Sequence, residues 1–234
     1  MKKNLTVAQK KADIDLWIII ISTFAMLAIY LIFQQNIIAV FKDTTKPILL
    51  RTLFAAFFQF GVAGLGITIV SFYRKEPFTK HGLNSRHLLK SIGLSLLCCA
   101  PYAAFVLLNN SFNGYMPFQG VMTTKEVLQS GFPTNIIGMA ITAVIWGFFE
   151  GFNYIFISDK INERYPTKYK YFNWGAFACS CMCILVHGII GIRPEDIFEM
   201  VAVICIIYGM IMVREKTGNA WGTVAVFVLF WNAF

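Results

Sequence analysis

Seven apolar runs divide the chain, near residues 16–33, 52–73, 91–108, 136–158, 174–192, 197–213 and 219–234, with polar or charged segments between them. A helix needs about 20 apolar residues to cross a bilayer. The runs are continuous, which excludes the alternating pattern of a transmembrane β-barrel. Backbone groups facing lipid must be bonded within their own segment, so each run predicts a helix. The pattern predicts an all-α fold, a polytopic transmembrane helical bundle of about seven spans. Residues 1–234 then form a single integral membrane domain with the lipid bilayer as its first partner. The opening run of about 18 residues exceeds the h-region of a signal peptide, and no A-x-A-like site follows it, so it reads as a retained anchor.

Charge sets the direction of the spans. The 20 Lys and Arg outnumber the 12 Asp and Glu, giving +8. Fifteen of these cations fall before the first run or in the second, fourth and sixth connections, against five on the other side. The positive-inside rule then places the N-terminus in the cytosol and the chain in the cell membrane. Because the excess sits between apolar spans, nucleic acid is not an expected partner. Only 14% of residues are charged and 57% are hydrophobic, too apolar for a soluble enzyme. Segment 109–134 carries little charge and reads equally as a lid, a re-entrant piece or a long loop.

All six cysteines lie inside runs, so no disulfide framework is expected. Alternate positions lie about 200° apart on a helix, so Cys179, Cys181 and Cys183 do not converge on a metal. The chain has no HExxH and no GxSxG, and no metal or cofactor is expected. GVAGLG at 61–66 lies inside a run, where glycine serves close helix approach rather than phosphate binding.

One acid stands apart. Glu150 lies deep in VIWGFFEGFNYIFI, where a charge costs about 2.5–3.5 kcal/mol on insertion scales. Asn153 and Tyr154 follow at i+3 and i+4 and share its face. His187 in CILVHGIIG is the intramembrane histidine, and Asn232 lies in VLFWNAF. Glu199 sits near the end of its run and reads as interfacial. At about 1.5 Å per residue from the cytosolic ends, Glu150 lies roughly 12 Å deep and His187 and Asn232 roughly 18–20 Å deep. The residues alone leave Glu150 open as a proton carrier, a general base, a ligand or a structural hydrogen-bonding group.

Residues 140–234 resemble the CAAX protease and bacteriocin-processing family of intramembrane proteases. That family shows an EExxxR helix, then FxxxH, then HxxxN preceded by a phrase like TGSLW. The counterparts here are FFEGFNYI at 148–155, CILVH at 183–187 and TGNAWGTVAVFVLFWNAF at 217–234. With Glu150 as the first glutamate of the pattern, Gly151 and Ile155 stand at the second glutamate and the arginine. With Glu150 as the second, those places fall to Phe149 and Tyr154. Cys183 replaces the phenylalanine of FxxxH, and Val228 replaces the histidine of HxxxN.

The resemblance implies a divergent glutamate-type intramembrane endopeptidase. Glu150 would activate water for peptide-bond hydrolysis, and His187 and Asn232 would hydrogen-bond the water or oxyanion. Asn153 and Tyr154 would support them. Substrates would be peptides or membrane proteins. A non-catalytic family member that binds membrane proteins is the alternative, and a proton-coupled transporter is the third reading.

Overall fold

A computed structural model describes residues 5–108, 114–169, 172–188 and 196–233. The described elements are helical, with no strand among them. Helix α1 (Val7–Ile32) begins nine residues before the apolar run. Thr6 and Gln9 explain this: each side chain accepts from the other's backbone N–H, at 3.2 and 3.0 Å, closing a capping box. Then follow α2 (Gln34–Lys42), α3 (Ile48–Ala63), α4 (Leu65–Arg74), a 3₁₀ turn (Phe78–His81), α5 (Leu88–Leu97) and α6 (Ala100–Leu108). Short α7 (Thr124–Gln129) precedes α8 (Thr134–Thr142), which continues through a π-helical stretch (Ala143–Phe149) into α9 (Glu150–Arg164). Helices α10 (Trp174–Gly188), α11 (Asp196–Thr217) and α12 (Trp221–Val226) follow, with a second π-helical stretch (Phe227–Trp231) after α12.

Among the described residues three helices are long and apolar enough to cross a membrane: Val7–Ile32, Leu88–Leu108 and Thr134–Arg164. The run at 52–73 is not a straight helix but the pair α3 and α4, bent by 58°. The break falls at Gly64, where a Cβ would meet the rings of Phe60 at 2.4 Å and Phe149 at 2.9 Å. Its neighbour Gly66 brings α4 onto α1, since a Cβ there would stand 2.8 Å from Ile19 Cα. The glycines of 61–66 thus serve packing and a bend.

Helix α9 is the centre of the bundle. Helices α1, α3, α4, α10, α11 and α12 all touch it. Gly151, Phe152, Ile155, Phe156, Ile157 and Ser158 are buried, so the helix is covered around most of its circumference. The approach is closest at two small residues. A Cβ on Gly147 would lie 2.5 Å from Val228 Cγ2, and one on Gly151 would lie 3.0 Å from the Thr223 carbonyl oxygen. The GFFEG spacing therefore lets the two chain segments containing the π-helical stretches cross, antiparallel, just beside Glu150.

One end of the bundle is tied by charge. Asp15, in α1, accepts from Arg74 at 2.7 Å and pairs with Lys160 at 2.9 Å. Lys160 also reaches Glu76, and Arg164 reaches Asp13. Asp159 binds Arg214 at 2.6 Å and the His81 imidazole at 2.7 Å. The start of α1 and the ends of α4, α9 and α11 therefore meet in one belt. Asp15 and Lys160 are nearly inaccessible to solvent, so loss of either would leave the other buried with only its remaining partners, Arg74 for Asp15 or Glu76 and Glu163 for Lys160.

Two predictions follow from this packing. A Cβ at Gly175 would stand 2.4 Å from the Ser158 carbonyl oxygen and 2.6 Å from its Cα, where α10 meets α9. Backbone cannot yield like a side chain, so Gly175→Ala should cost about 1–3 kcal/mol, read as a lowered melting temperature in detergent. Burial pushes the Glu76 carboxyl up, but hydrogen bonds and charge from Lys80 and Lys160 win and hold it at about 2. Its contribution is complete above the unfolded value near 4.5 and is lost as pH falls toward 2. Between those limits Glu76→Gln should show a flatter stability profile than wild type, measured by thermal unfolding across pH.

Candidate active site

Glu150 is the first residue after a π-helical stretch, roughly midway along the continuous Thr134–Arg164 helix. Such stretches widen a helix by one residue per turn and recur at functional positions. The side chain is partly buried, and Gln59 Nε2 of α3 donates to Glu150 Oε2 at 2.8 Å. Among the described residues Oε1 has no hydrogen-bond partner. A neutral amide thus holds the carboxylate while leaving one oxygen uncommitted.

Tyr154 lies one turn beyond Glu150, stacked on Phe227 at a centroid distance of 5.5 Å. Two thiols also adjoin it. Cys179 Sγ donates to the Tyr154 carbonyl oxygen at 3.5 Å, and the Cys183 thiol adjoins the Tyr154 hydroxyl within electrostatic range of Glu150. Cys179 and Cys183 are buried on one face of α10, whereas Cys181 is only half-buried. His187 follows Cys183 by four residues in the last turn of α10. Its side chain, like that of Glu199, lies outside the described residues. Asn153 is half-buried on α9. Among the described residues no three His, Cys, Asp or Glu side chains converge on a metal position.

Asn232 occupies a different part of the site. It terminates the second π-helical stretch, and its carbonyl accepts from Gly120 N–H at 3.0 Å while that of Ala233 accepts from Met116 N–H at 3.2 Å. Its Nδ2 is buried with no partner among the described residues. Gly151 faces Val224 and Phe227 while Gly147 faces Val228. In this antiparallel register Asn232 lies about seven residues beyond the level of Glu150, on the order of 8–10 Å along the helix. The structure brings Glu150, Tyr154 and α10 together and places Asn232 beneath a separate cap.

The cap is the region left open among three sequence readings. Residues 114–133 fold as turns and α7 against the helix ends. Phe118 takes a left-handed conformation (φ 59°) and is buried, its ring edge close to Gly147. A non-glycine residue held there is strained unless its surroundings fix it. Glu126 of α7 pairs with Arg51 of α3, which also donates to the Phe41 carbonyl oxygen at 3.1 Å. Arg51, counted as a connection cation in the sequence, is thus a buried member of α3.

Gln59 and Phe118 are not singled out by sequence, and Cys179 and Cys183 read there only as non-converging thiols, not as neighbours of Tyr154. Gln59 had a visible signal, a polar amide deep in LFAAFFQFGVAG. No family model, curated protein or solved structure matches the chain.

Because Arg51 is buried, Glu126→Gln would leave its guanidinium without a counter-charge. Amide hydrogen exchange of residues 115–129 should rise about tenfold or more, while exchange in α9 stays unchanged.

Proposed function

We propose that the chain is a divergent glutamate-type intramembrane endopeptidase. It would cross the cell membrane seven times with its N-terminus in the cytosol, and residues 140–234 would form the catalytic core. The alternating charge of the connections and the meeting of four helix ends in one charged belt support this topology. The observation that carries the catalytic reading is Glu150 itself. It is an acid in the middle of an apolar helix, placed by a π-helical stretch and held through one oxygen by a neutral amide.

In this reading Glu150 takes a proton from water, and the resulting hydroxide attacks the scissile amide carbon. The protonated carboxyl then returns the proton to the leaving amine, so the carboxylate is regenerated. His187, one turn past Cys183, donates to the oxyanion. Asn232 Nδ2, uncommitted and nearer the cap, donates to the substrate backbone. Gln59 positions the carboxylate. Substrates are peptides or membrane proteins with segments such as leader sequences or prenylated C-termini.

A second reading has a specific observation in its favour. Val228, in the place of the second histidine of the resembled pattern, packs into the notch at Gly147. A non-catalytic relative that binds membrane proteins through the same surface fits that apolar contact.

Glu150→Gln preserves size and can still bond Gln59, so it separates the readings. Wild type in proteoliposomes should cleave members of a broad peptide panel, and the variant should lose at least about 10²-fold in rate. Equal cleavage by both, or none by wild type, would reject proteolysis in favour of the binding role. Glu150-dependent proton uptake without cleavage would instead identify a transporter.

A further inference from the structure

The charged belt uses up its acids. Asp13 pairs with Arg164, Asp15 with Arg74 and Lys160, and Glu76 with Lys80 and Lys160. Asp159 pairs with Arg214 and His81, Glu163 with Lys160, and Glu215 with Arg214. Every acid of that end among the described residues is therefore engaged by a cation of the same end. The remaining cations of that end have no internal counter-charge among the described residues.

Lys10 and Lys11 project from the first turns of α1, and Lys75 follows α4. Arg86 and Lys90 flank the start of α5. All five are exposed, and none forms an ion pair among the described residues. Lys168 and Lys216 share both properties at the same end. The opposite end differs: Lys46 is paired with Asp43 and Arg51 with Glu126, which leaves only Lys42 and Lys125 free among the described residues.

What lies beside the free cations identifies their partner. Tyr73 (62% exposed) is two residues from Lys75, Leu89 (83%) adjoins Lys90, and Trp17 (62%) lies two turns from Lys10 on α1. An acidic soluble protein would bring a water-covered surface against these apolar side chains. A bilayer surface offers both halves at once, acyl chains for the rings and leucine and phosphates for the cations. We infer that this end of the protein binds the phosphate headgroups of anionic phospholipids, with Lys10, Lys11, Lys75, Arg86 and Lys90 as the main contacts. The interaction is electrostatic, falls off within a Debye length and is screened by salt. The inference rests on the membrane-embedded reading of the chain but not on proteolysis.

The test places the whole protein in nanodiscs of phosphatidylcholine alone or with about one third phosphatidylglycerol. Wild type should melt roughly 2–4 °C or more higher in the anionic discs, and about 0.5 M NaCl should remove the difference. Replacing the five residues by Gln should abolish the shift, whereas Lys→Arg at 10, 11, 75 and 90 should keep it. Equal melting in both discs, or a shift retained by the Gln variant, would overturn the inference. A shift reproduced in neutral discs by soluble glycerol phosphate would replace lipid by a small anion. Failure of the protein to enter either disc would instead reject the membrane reading on which the inference stands.

Discussion

A carboxylate inside an apolar helix must find a hydrogen-bond donor, and Glu150 finds one on another helix. Low dielectric makes an unpartnered polar group costly, and the same condition strengthens the bond that is made. Gln59 supplies that donor without supplying a charge. The distinction matters chemically. A cation at this place would make a tight ion pair, whereas an amide fixes the geometry and leaves the carboxylate able to exchange a proton. The fold is arranged around this contact. The bend at Gly64 lies five residues after Gln59, and Gly147 and Gly151 bracket Glu150 where the second π-helical stretch crosses.

The two ends of the bundle solve different problems. At one end, ion pairs join α1 to residues 59 to 151 positions distant, so the belt locks together helices that the chain forms far apart. At the other, α7 and the turns around Phe118 close over the crossing, held by Arg51 and by the carbonyls of Asn232 and Ala233. Glu150 lies between a charged lock and an apolar cap. Phe118 keeps its left-handed backbone there between turns whose Met116 and Gly120 N–H groups donate to the Ala233 and Asn232 carbonyls.

Much of this was legible in the sequence, for physical reasons that also mark where reading stops. Apolar length reports helices directly, so the all-helical fold and the long apolar helices near 16–33, 91–108 and 136–158 were visible. Glu150 was visible because a charge in an apolar run is costly. Gln59 was not singled out because a neutral amide is cheap enough to pass for packing, although it completes the same bond. The bend at Gly64 could not be read from glycine alone, since Gly61 and Gly66 nearby serve packing instead. The π-helical stretches have no composition of their own. The ion pairs of Lys160 and Arg214 depend on which helix ends meet, and residues that read as connection charges proved to lie within helices. The backbone contact of Asn232 with Gly120 depends on how the turns after residue 113 fold back, which apolar patterning does not encode.

The most direct test of the central contact is a double-mutant cycle on Gln59→Leu and Glu150→Leu, with unfolding free energies measured in detergent micelles. A bonded pair predicts that the double variant is less destabilised than the two single variants summed, by about 1–3 kcal/mol. Additive effects within about 0.5 kcal/mol would show that the carboxylate and the amide do not hold each other, and the proposed centre would have no basis.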